Sequence, residues 1–159
     1  MFILAGQRDV DPFGCWERYS AYLRMNAELF PPNAFALATS AWYFDPSDHR
    51  SPHDSWLESV VVSEPAIGAR SETRSTILTI KLLGAYHDGN IWLKYSNVKR
   101  YALAAHAVSG GHGDWRFDEF RVTEKGLLEH AIEWSGPSPG IAEWVIVAED
   151  VEFSWVPLG

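Results

Sequence analysis

The stretch TILTIKLLGAYHDGNIWLKY, residues 76–95, decides the fold of this chain. Its first half alternates between two sets of side chains, with Leu78, Ile80 and Leu82 on one side, and a period of two is typical of a β-strand. Its second half, IWLKY, supplies another short apolar run. Between them, Asp88-Gly89 is a favoured turn pair, because both residues tolerate left-handed backbone geometry. The stretch therefore predicts an antiparallel hairpin.

The period of two continues on both sides of this hairpin, from Trp56 to the C-terminus. TEKG at 123–126 predicts a tight turn with Gly126 at the position of positive φ, and SGPSPG at 135–140 predicts another hairpin loop. Eight short strands at this spacing predict an antiparallel meander that closes as a sandwich or a barrel. The further predicted strands cover residues 55–63, 98–103, 115–122, 127–134, 141–148 and 151–155.

The first third of the chain has a different pattern, which predicts helices. Asp11-Pro12 is a good helix start, since Asp accepts hydrogen bonds from free backbone N–H groups and Pro tolerates the first helical position. Apolar residues then recur at helical spacing until Pro31-Pro32, which must end the helix. We therefore predict a helix over about 12–29. Residues 33–42 fit either a short helix or a strand.

Length and composition indicate a single globular domain, 1–159. Of its residues, 47% are hydrophobic and 14% aromatic, so the chain can bury a core without disulfides. The expected fold class is α+β, with a helical cover over 1–44 and an antiparallel sheet over 55–156. Cys15 has no second cysteine to pair with, and no apolar stretch approaches the roughly 18 residues of a membrane span. We therefore expect a cytoplasmic protein with no membrane partner.

Three similar polar couplets mark turns of the predicted sheet: the first is His53-Asp54, the second is His87-Asp88, and the third is His112 and Asp114 on either side of a glycine. Each falls where a strand is about to turn or to start. If the turns meet at one end of the sheet, they build a polar binding site; if they do not, each has only local turn chemistry. The candidate binding residues are His53, Asp54, His87, Asp88, His112 and Asp114.

No catalytic or cofactor signature accompanies these couplets. The sequence lacks HExxH, a cysteine pair, GxSxG, the phosphate-loop pattern and the GxGxxG fingerprint. A metal site would require three separate loops to meet. We therefore expect no metal, no cofactor and no catalytic residues, and a binding protein is favoured over an enzyme.

Charge is unevenly distributed along the chain. The formal net charge is −8, and the three basic and ten acidic residues after residue 100 account for −7 of it. This balance disfavours nucleic acid as a partner, because phosphate contacts need a basic surface, and it can steer a basic protein. Trp is enriched in interface hot spots. The candidate interface residues are Trp144, Glu149, Asp150, Glu152 and Trp155.

Three blocks of sequence resemble blocks shared by a family of small uncharacterised bacterial proteins. They are HDSWLESV (53–60), LLGAYHDGNIWLKY (82–95) and GHGDWRFDEFRV (111–122). The resemblance covers roughly residues 45–156 and leaves the N-terminal helix outside. It implies no activity, and only an analogy of size and acidity connects it with immunity proteins, which neutralise a toxin.

Three functions are consistent with these observations. The first is a non-enzymatic intracellular binding protein, such as an immunity-type inhibitor, that masks a basic partner such as a toxin with its acidic C-terminal half. The second is a small-molecule-binding barrel or enzyme that uses the His-Asp turns, since barrel mouths are common pocket positions. The third is a subunit of a homo-oligomer in which an exposed edge strand pairs between copies.

Overall fold

The computed structural model describes residues 3–105, 108–136 and 141–159. The N-terminal part of the chain is helical. The helices are α1 (Ile3–Gln7), α2 (Pro12–Met25) and α3 (Pro32–Ala38). Asp11 caps α2 as predicted, accepting a hydrogen bond from the backbone N–H of Gly14 at 3.0 Å. The helix ends at Met25, earlier than the predicted residue 29, because the Asn26 side chain donates to the carbonyl of Tyr22 at 2.8 Å and the chain turns there. Of residues 33–42, which fitted either a short helix or a strand, residues 33–38 lie in α3.

Eight antiparallel strands follow, which confirms the α+β class. Their order in the sheet is β4-β7-β6-β5-β1-β2-β3-β8. This order differs from that of the predicted meander. Strand β4 follows β3 in the chain but pairs with β7, and β8 follows β7 but pairs with β3. The strands are β1 (Trp56–Ser63), β2 (Ile77–Leu83), β3 (Gly89–Ser96), β4 (Arg100–Leu103), β5 (Asp114–Val122), β6 (Leu128–Ser135), β7 (Ile141–Ala148) and β8 (Asp150–Pro157).

The sheet divides into two halves at the seam between β1 and β5. The register pair Trp56–Asp114 joins the two strands at their first residues, and the strands then run apart. A β-bulge lies beside the seam on each side, at Glu58 and at Arg116, and bulges of this kind bend a strand sharply. The halves face each other across one core, so the fold is sandwich-like.

Helix α2 closes the edge of β5 that β1 leaves open. The hydroxyl of Tyr19 donates to the carbonyl of Phe120 at 2.8 Å and accepts from its N–H at 2.9 Å. One turn further along α2, the Tyr22 hydroxyl accepts from the N–H of Val122 at 2.9 Å. Each hydroxyl takes the place of a neighbouring strand, since buried backbone groups must find partners.

The turns agree with the sequence in part. TEKG forms the predicted turn, with Gly126 at φ 74° and a hydrogen bond from its N–H to the carbonyl of Thr123. In the β2–β3 loop the residue with positive φ is His87, at 58°, and not Gly89, which begins β3. Gly89 is required for another reason: a Cβ there would lie 2.2 Å from the ring of Trp155. Of the predicted SGPSPG loop, residues 137–140 lie outside the described residues.

The far part of β1 has an open edge. Among the described residues, positions 57–63 pair with β2 on one side and with no strand on the other. Val61 and Val62 are exposed there. Within the same described part of the chain, no helix is long and apolar enough to cross a bilayer.

Candidate functional site

The core contains a chain of polar side chains that crosses between the two halves of the sheet. His130 on β6 contacts the Asp118 carboxylate through Nε2 at 2.7 Å and the Tyr95 hydroxyl through Nδ1 at 2.7 Å. Asp118 also accepts hydrogen bonds from the Tyr43 hydroxyl at 2.8 Å and from the Trp115 indole N–H at 3.1 Å. These five residues, Tyr43, Tyr95, Trp115, Asp118 and His130, are all buried.

The bulge at Arg116 places Asp118 inside the core. Trp115 faces Trp134 across the β5–β6 ladder, and Asp118 faces Ile132. Strict alternation would send Trp115 and Asp118 to opposite faces, but the extra residue restores both to the inner face. Its neighbour Glu119 points to the outer face, where its carboxylate accepts from the backbone N–H groups at the start of α1 at 2.9 and 2.7 Å. Adjacent carboxylates therefore serve opposite faces, as neighbouring residues of a strand do.

One arrangement of protons satisfies the whole network. A neutral His130 donates from Nε2 to the ionised Asp118 and accepts at Nδ1 from the Tyr95 hydroxyl. Burial, followed by the nearby Asp118 charge, raises the pKa of both Tyr43 and Tyr95 well above the ordinary value of 10.0. Both phenols therefore stay protonated as donors, and three donors hold one fixed negative charge in the core.

A cavity of about 320 Å³ reaches this network from the surface. Asp118 lies at its inner end and is 8% exposed. The walls are formed by aromatic rings and prolines from α2, from the segment that follows α3 and from the start of β5. The rings lining the cavity are Trp16, Tyr43, Phe44, Trp115 and Phe117.

Basic side chains line the same cavity. The guanidinium of Arg8 lies 3.7 Å above the Phe117 ring and pairs with Glu133 at 2.7 Å. Arg116 pairs with Asp54 at 3.1 Å, and its side chain is 45% exposed. His53 stands against the Phe117 ring, with ring centroids 5.9 Å apart. Among the described residues that line the cavity, Asp118 alone carries a carboxylate.

The first predicted couplet contributes to this cavity and to its rim. His53 lines the cavity. Asp54 has φ 61° and donates its backbone N–H to the carbonyl of Trp115 at 2.8 Å, which fixes the loop against β5. Its carboxylate holds Arg116 and lies 3.6 Å from His53 Nε2.

The second and third couplets lie near the first at the seam, but each has its own partners. His87 packs against the Trp56 ring at 4.6 Å, and Asp88 pairs with His49. Asp114 is the register partner of Trp56. His112 instead packs between Trp134 and Trp144; its Nδ1 is buried with no hydrogen-bond partner among the described residues, and burial lowers its pKa.

The turns thus gather around the strand starts, but among the described residues no hydrogen bond, ion pair or ring contact joins one couplet to another. Trp56 touches the second couplet and pairs with the third, and the first couplet precedes it by two residues. Within residues 3–105, 108–136 and 141–159, no three His, Cys, Asp or Glu side chains converge to hold a metal ion.

The candidate interface residues have mixed positions. Trp144 is only 3% exposed and donates its indole N–H to the carbonyl of Ala104 at 2.9 Å, so its ring belongs to the core. Trp155 is half-buried over Gly89. Asp150 caps α3 by accepting from its first backbone N–H groups at 3.1 and 2.9 Å. Glu149 and Glu152 remain exposed.

Sequence reasoning missed the buried network and identified only the surface turns. One signal was present: His130 shares its face of β6 with Leu128, Ile132 and Trp134, all buried. A histidine on such a face needs buried partners, since an unpaired polar group in a core is costly. The position of Asp118 could not be found in this way, because the bulge changes the alternation.

Comparison with known proteins gives no relative: no family model matches this chain, and neither a curated protein nor a solved structure does.

Proposed function

We propose that this protein binds a small organic molecule with a flat apolar body in the cavity beside Asp118. The observation that carries the proposal is the cavity itself, which is lined mainly by aromatic residues and prolines and contains a few fixed polar groups. Ligand sites in proteins have this composition and begin at about 300 Å³. Free Cys15 agrees with a cytoplasmic location for this binding.

Binding is favoured over catalysis by the burial of the network. The residues Tyr95, His130 and Asp118 form a hydroxyl–imidazole–carboxylate series, but Tyr95 and His130 are both 0% exposed. A general base must come within hydrogen-bonding distance of its substrate. Both ring nitrogens of His130 are occupied within the core. The network therefore supplies the cavity with an oriented carboxylate, while the Tyr95 hydroxyl, which would be the nucleophile, is out of reach of a substrate.

Indole tests the proposal, because it is flat, apolar and uncharged. Isothermal titration calorimetry of the purified protein should detect one binding site per chain. Trp16→Ala removes one wall of the cavity and should abolish or strongly weaken binding. Trp92→Ala is the matched control, since Trp92 lies outside the cavity, over Lys81 on the outer face of the sheet. Absence of indole binding, or equal weakening by both variants, would remove the proposal.

Self-association through β1 is a second candidate function, and the open edge at 57–63 favours it. The other edges carry protection: β4 is only four residues long, α3 packs against β8, and tyrosine hydroxyls close β5. Unprotected apolar strand edges pair readily with other strands. An antiparallel pair of β1 strands centred on Val60 would place Glu58 opposite Val62 and avoid contact between like charges.

Light scattering over a range of protein concentrations tests this second candidate. The chain should form dimers, and Val61→Lys should shift it towards monomers, since charged residues block edge pairing. Val108→Lys places the same charge at another exposed valine, outside β1, and should leave the dimer intact. A monomer at all concentrations would refute the candidate.

A basic protein partner, the remaining proposal, has less support. The carboxylates of Glu119, Glu133 and Asp150 are engaged by α1, by Arg8 and by α3 respectively. Asp118 is buried. Four of the ten acidic side chains after residue 100 are therefore used within the chain and do not contribute to an exposed acidic face.

A further inference from the structure

The cavity has a direction, which follows from where its charged groups lie. Asp118 is at the buried end, with 5% of its side chain exposed. Arg116 lies at the open end with 45% of its side chain exposed, and His53 accompanies it with 25%. A carboxylate therefore stands at the bottom of the cavity, and a guanidinium and an imidazole stand at its mouth.

The buried carboxylate has capacity for one more donor. Oδ2 of Asp118 accepts from both Tyr43 and His130, whereas Oδ1 accepts from the indole N–H of Trp115. A carboxylate offers about four acceptor sites, so the three hydrogen bonds leave one. A ligand N–H or O–H at the inner end of the cavity fits this position.

The side chains at the open end of the cavity favour an anionic group on the ligand. Three nitrogen-bearing side chains, Arg8, His53 and Arg116, line the cavity, and the two more exposed ones, His53 and Arg116, mark its mouth. The facing carboxylates are Glu133, which is engaged by Arg8, and Asp54, whose side chain is 49% exposed and shared between Arg116 and His53. Exposed ion pairs of this kind are weak, so a ligand acid can compete for Arg116. The planar guanidinium also matches the geometry of a carboxylate or a phosphate, whereas the ammonium group of a lysine acts only as a point charge.

We propose that the natural ligand is a flat aromatic acid: a ring system with a hydrogen-bond donor that meets Asp118 and, at its opposite end, an anionic group that meets Arg116 and His53. The inference rests on the proposed small-molecule function and assigns the ligand's chemistry and orientation. The accessible rings of the cavity, Trp16, Phe44 and Phe117, contact the aromatic body. A cationic amine in place of the acid would meet the arginines and be repelled.

Four compounds separate these features: indole, indole-3-acetate, tryptamine and naphthalene-1-acetate. Calorimetric titration should give indole-3-acetate the tightest binding, at least tenfold tighter than indole. Tryptamine replaces the acid with an ammonium group, and naphthalene-1-acetate lacks the ring N–H. Each should bind at least tenfold more weakly than indole-3-acetate.

A pair of arginine variants tests the mouth. Arg116→Gln should weaken indole-3-acetate at least fivefold, with circular dichroism confirming the fold. Arg100→Gln is the matched control, because Arg100 also forms an exposed pair, with Glu129 at 3.2 Å, and lies outside the cavity. It should change the affinity less than twofold.

The outcomes distinguish the two levels of the proposal. If indole binds but tryptamine binds as tightly as indole-3-acetate, the assigned direction is wrong and the cavity remains a binding site. If naphthalene-1-acetate equals indole-3-acetate, the donor at Asp118 is refuted. If none of the four compounds binds, the small-molecule function itself fails.

Discussion

Replacing the hydroxyl of Tyr19 with hydrogen, in Tyr19→Phe, should destabilise the protein more than an ordinary surface substitution. The ring is 1% exposed, and its hydroxyl is the partner of both backbone groups of Phe120. Phenylalanine keeps the packing of the ring and removes both hydrogen bonds. The edge of β5 then has a buried N–H and a buried carbonyl without partners.

The magnitude follows from these two groups. Each buried polar group that loses its partner costs about 1–3 kcal/mol, so Tyr19→Phe, which leaves two such groups, should lower the free energy of unfolding by about 2–6 kcal/mol. A domain of this size has a total stability of roughly 5–15 kcal/mol. The melting temperature should fall by about 4–24 °C, since 1 kcal/mol corresponds to about 2–4 °C at this chain length.

Equilibrium unfolding in guanidinium chloride, followed by circular dichroism, measures the loss. Tyr22→Phe is the control on the same helix: its hydroxyl accepts from the N–H of Val122 at 2.9 Å, but its contact with the carbonyl is 3.5 Å and its ring is partly exposed. It should cost less than half as much. If the two variants cost the same, or if the Phe120 amide exchanges as slowly in Tyr19→Phe as in the wild type, α2 does not close the strand edge.

Three further predictions concern the core. Tyr95→Phe leaves Nδ1 of His130 without a hydrogen-bond donor and should lower the free energy of unfolding, measured by chemical denaturation, by about 1–3 kcal/mol. Burial raises the pKa of Tyr19, Tyr43 and Tyr95, so the folded state retains these protons; stability is complete below pH 10 and should fall above it by about 1.4 kcal/mol per pH unit for each phenol, as an alkaline denaturation series would measure. Gly89→Ala drives a methyl group into Trp155 and should cost about 1–3 kcal/mol in the same unfolding assay.

Matched variants give two of these predictions a control. Tyr101→Phe alters a tyrosine that is 47% exposed and should change stability by less than about 0.5 kcal/mol. Gly136→Ala adds a methyl group whose nearest neighbour is 3.5 Å away, an ordinary contact. Equal losses in Tyr95→Phe and Tyr101→Phe would contradict the buried network. A flat profile above pH 10 would contradict the burial of the three phenols.

The sequence was sufficient to predict the strands, because their periodicity is local. Leu78, Ile80 and Leu82 alternate as predicted and are fully buried. The exchange of β4 and β8 between the two halves was not predictable in this way, since a period of two says nothing about which strand is the neighbour.

The candidate site was predictable only at its surface. His53 and Asp54 were found because they stand in a polar turn, and they do reach the cavity or its rim. Asp118 was missed because the bulge at Arg116 shifts the alternation of β5 by one residue. Tyr43 was missed because it lies in an irregular segment, where sequence periodicity carries no information about burial.

The indole N–H resonances of the eight tryptophans offer the most direct measurement of the central proposal. In a ¹H–¹⁵N spectrum of the wild-type protein, titration with indole should shift the signals of Trp16 and Trp115 along saturating curves, because Trp16 lines the cavity and the Trp115 indole N–H donates to Asp118. The signal of Trp92, on the outer face of the sheet, should stay in place. Saturating shifts at Trp92 with no change at Trp115 would show that the cavity beside Asp118 is not the binding site.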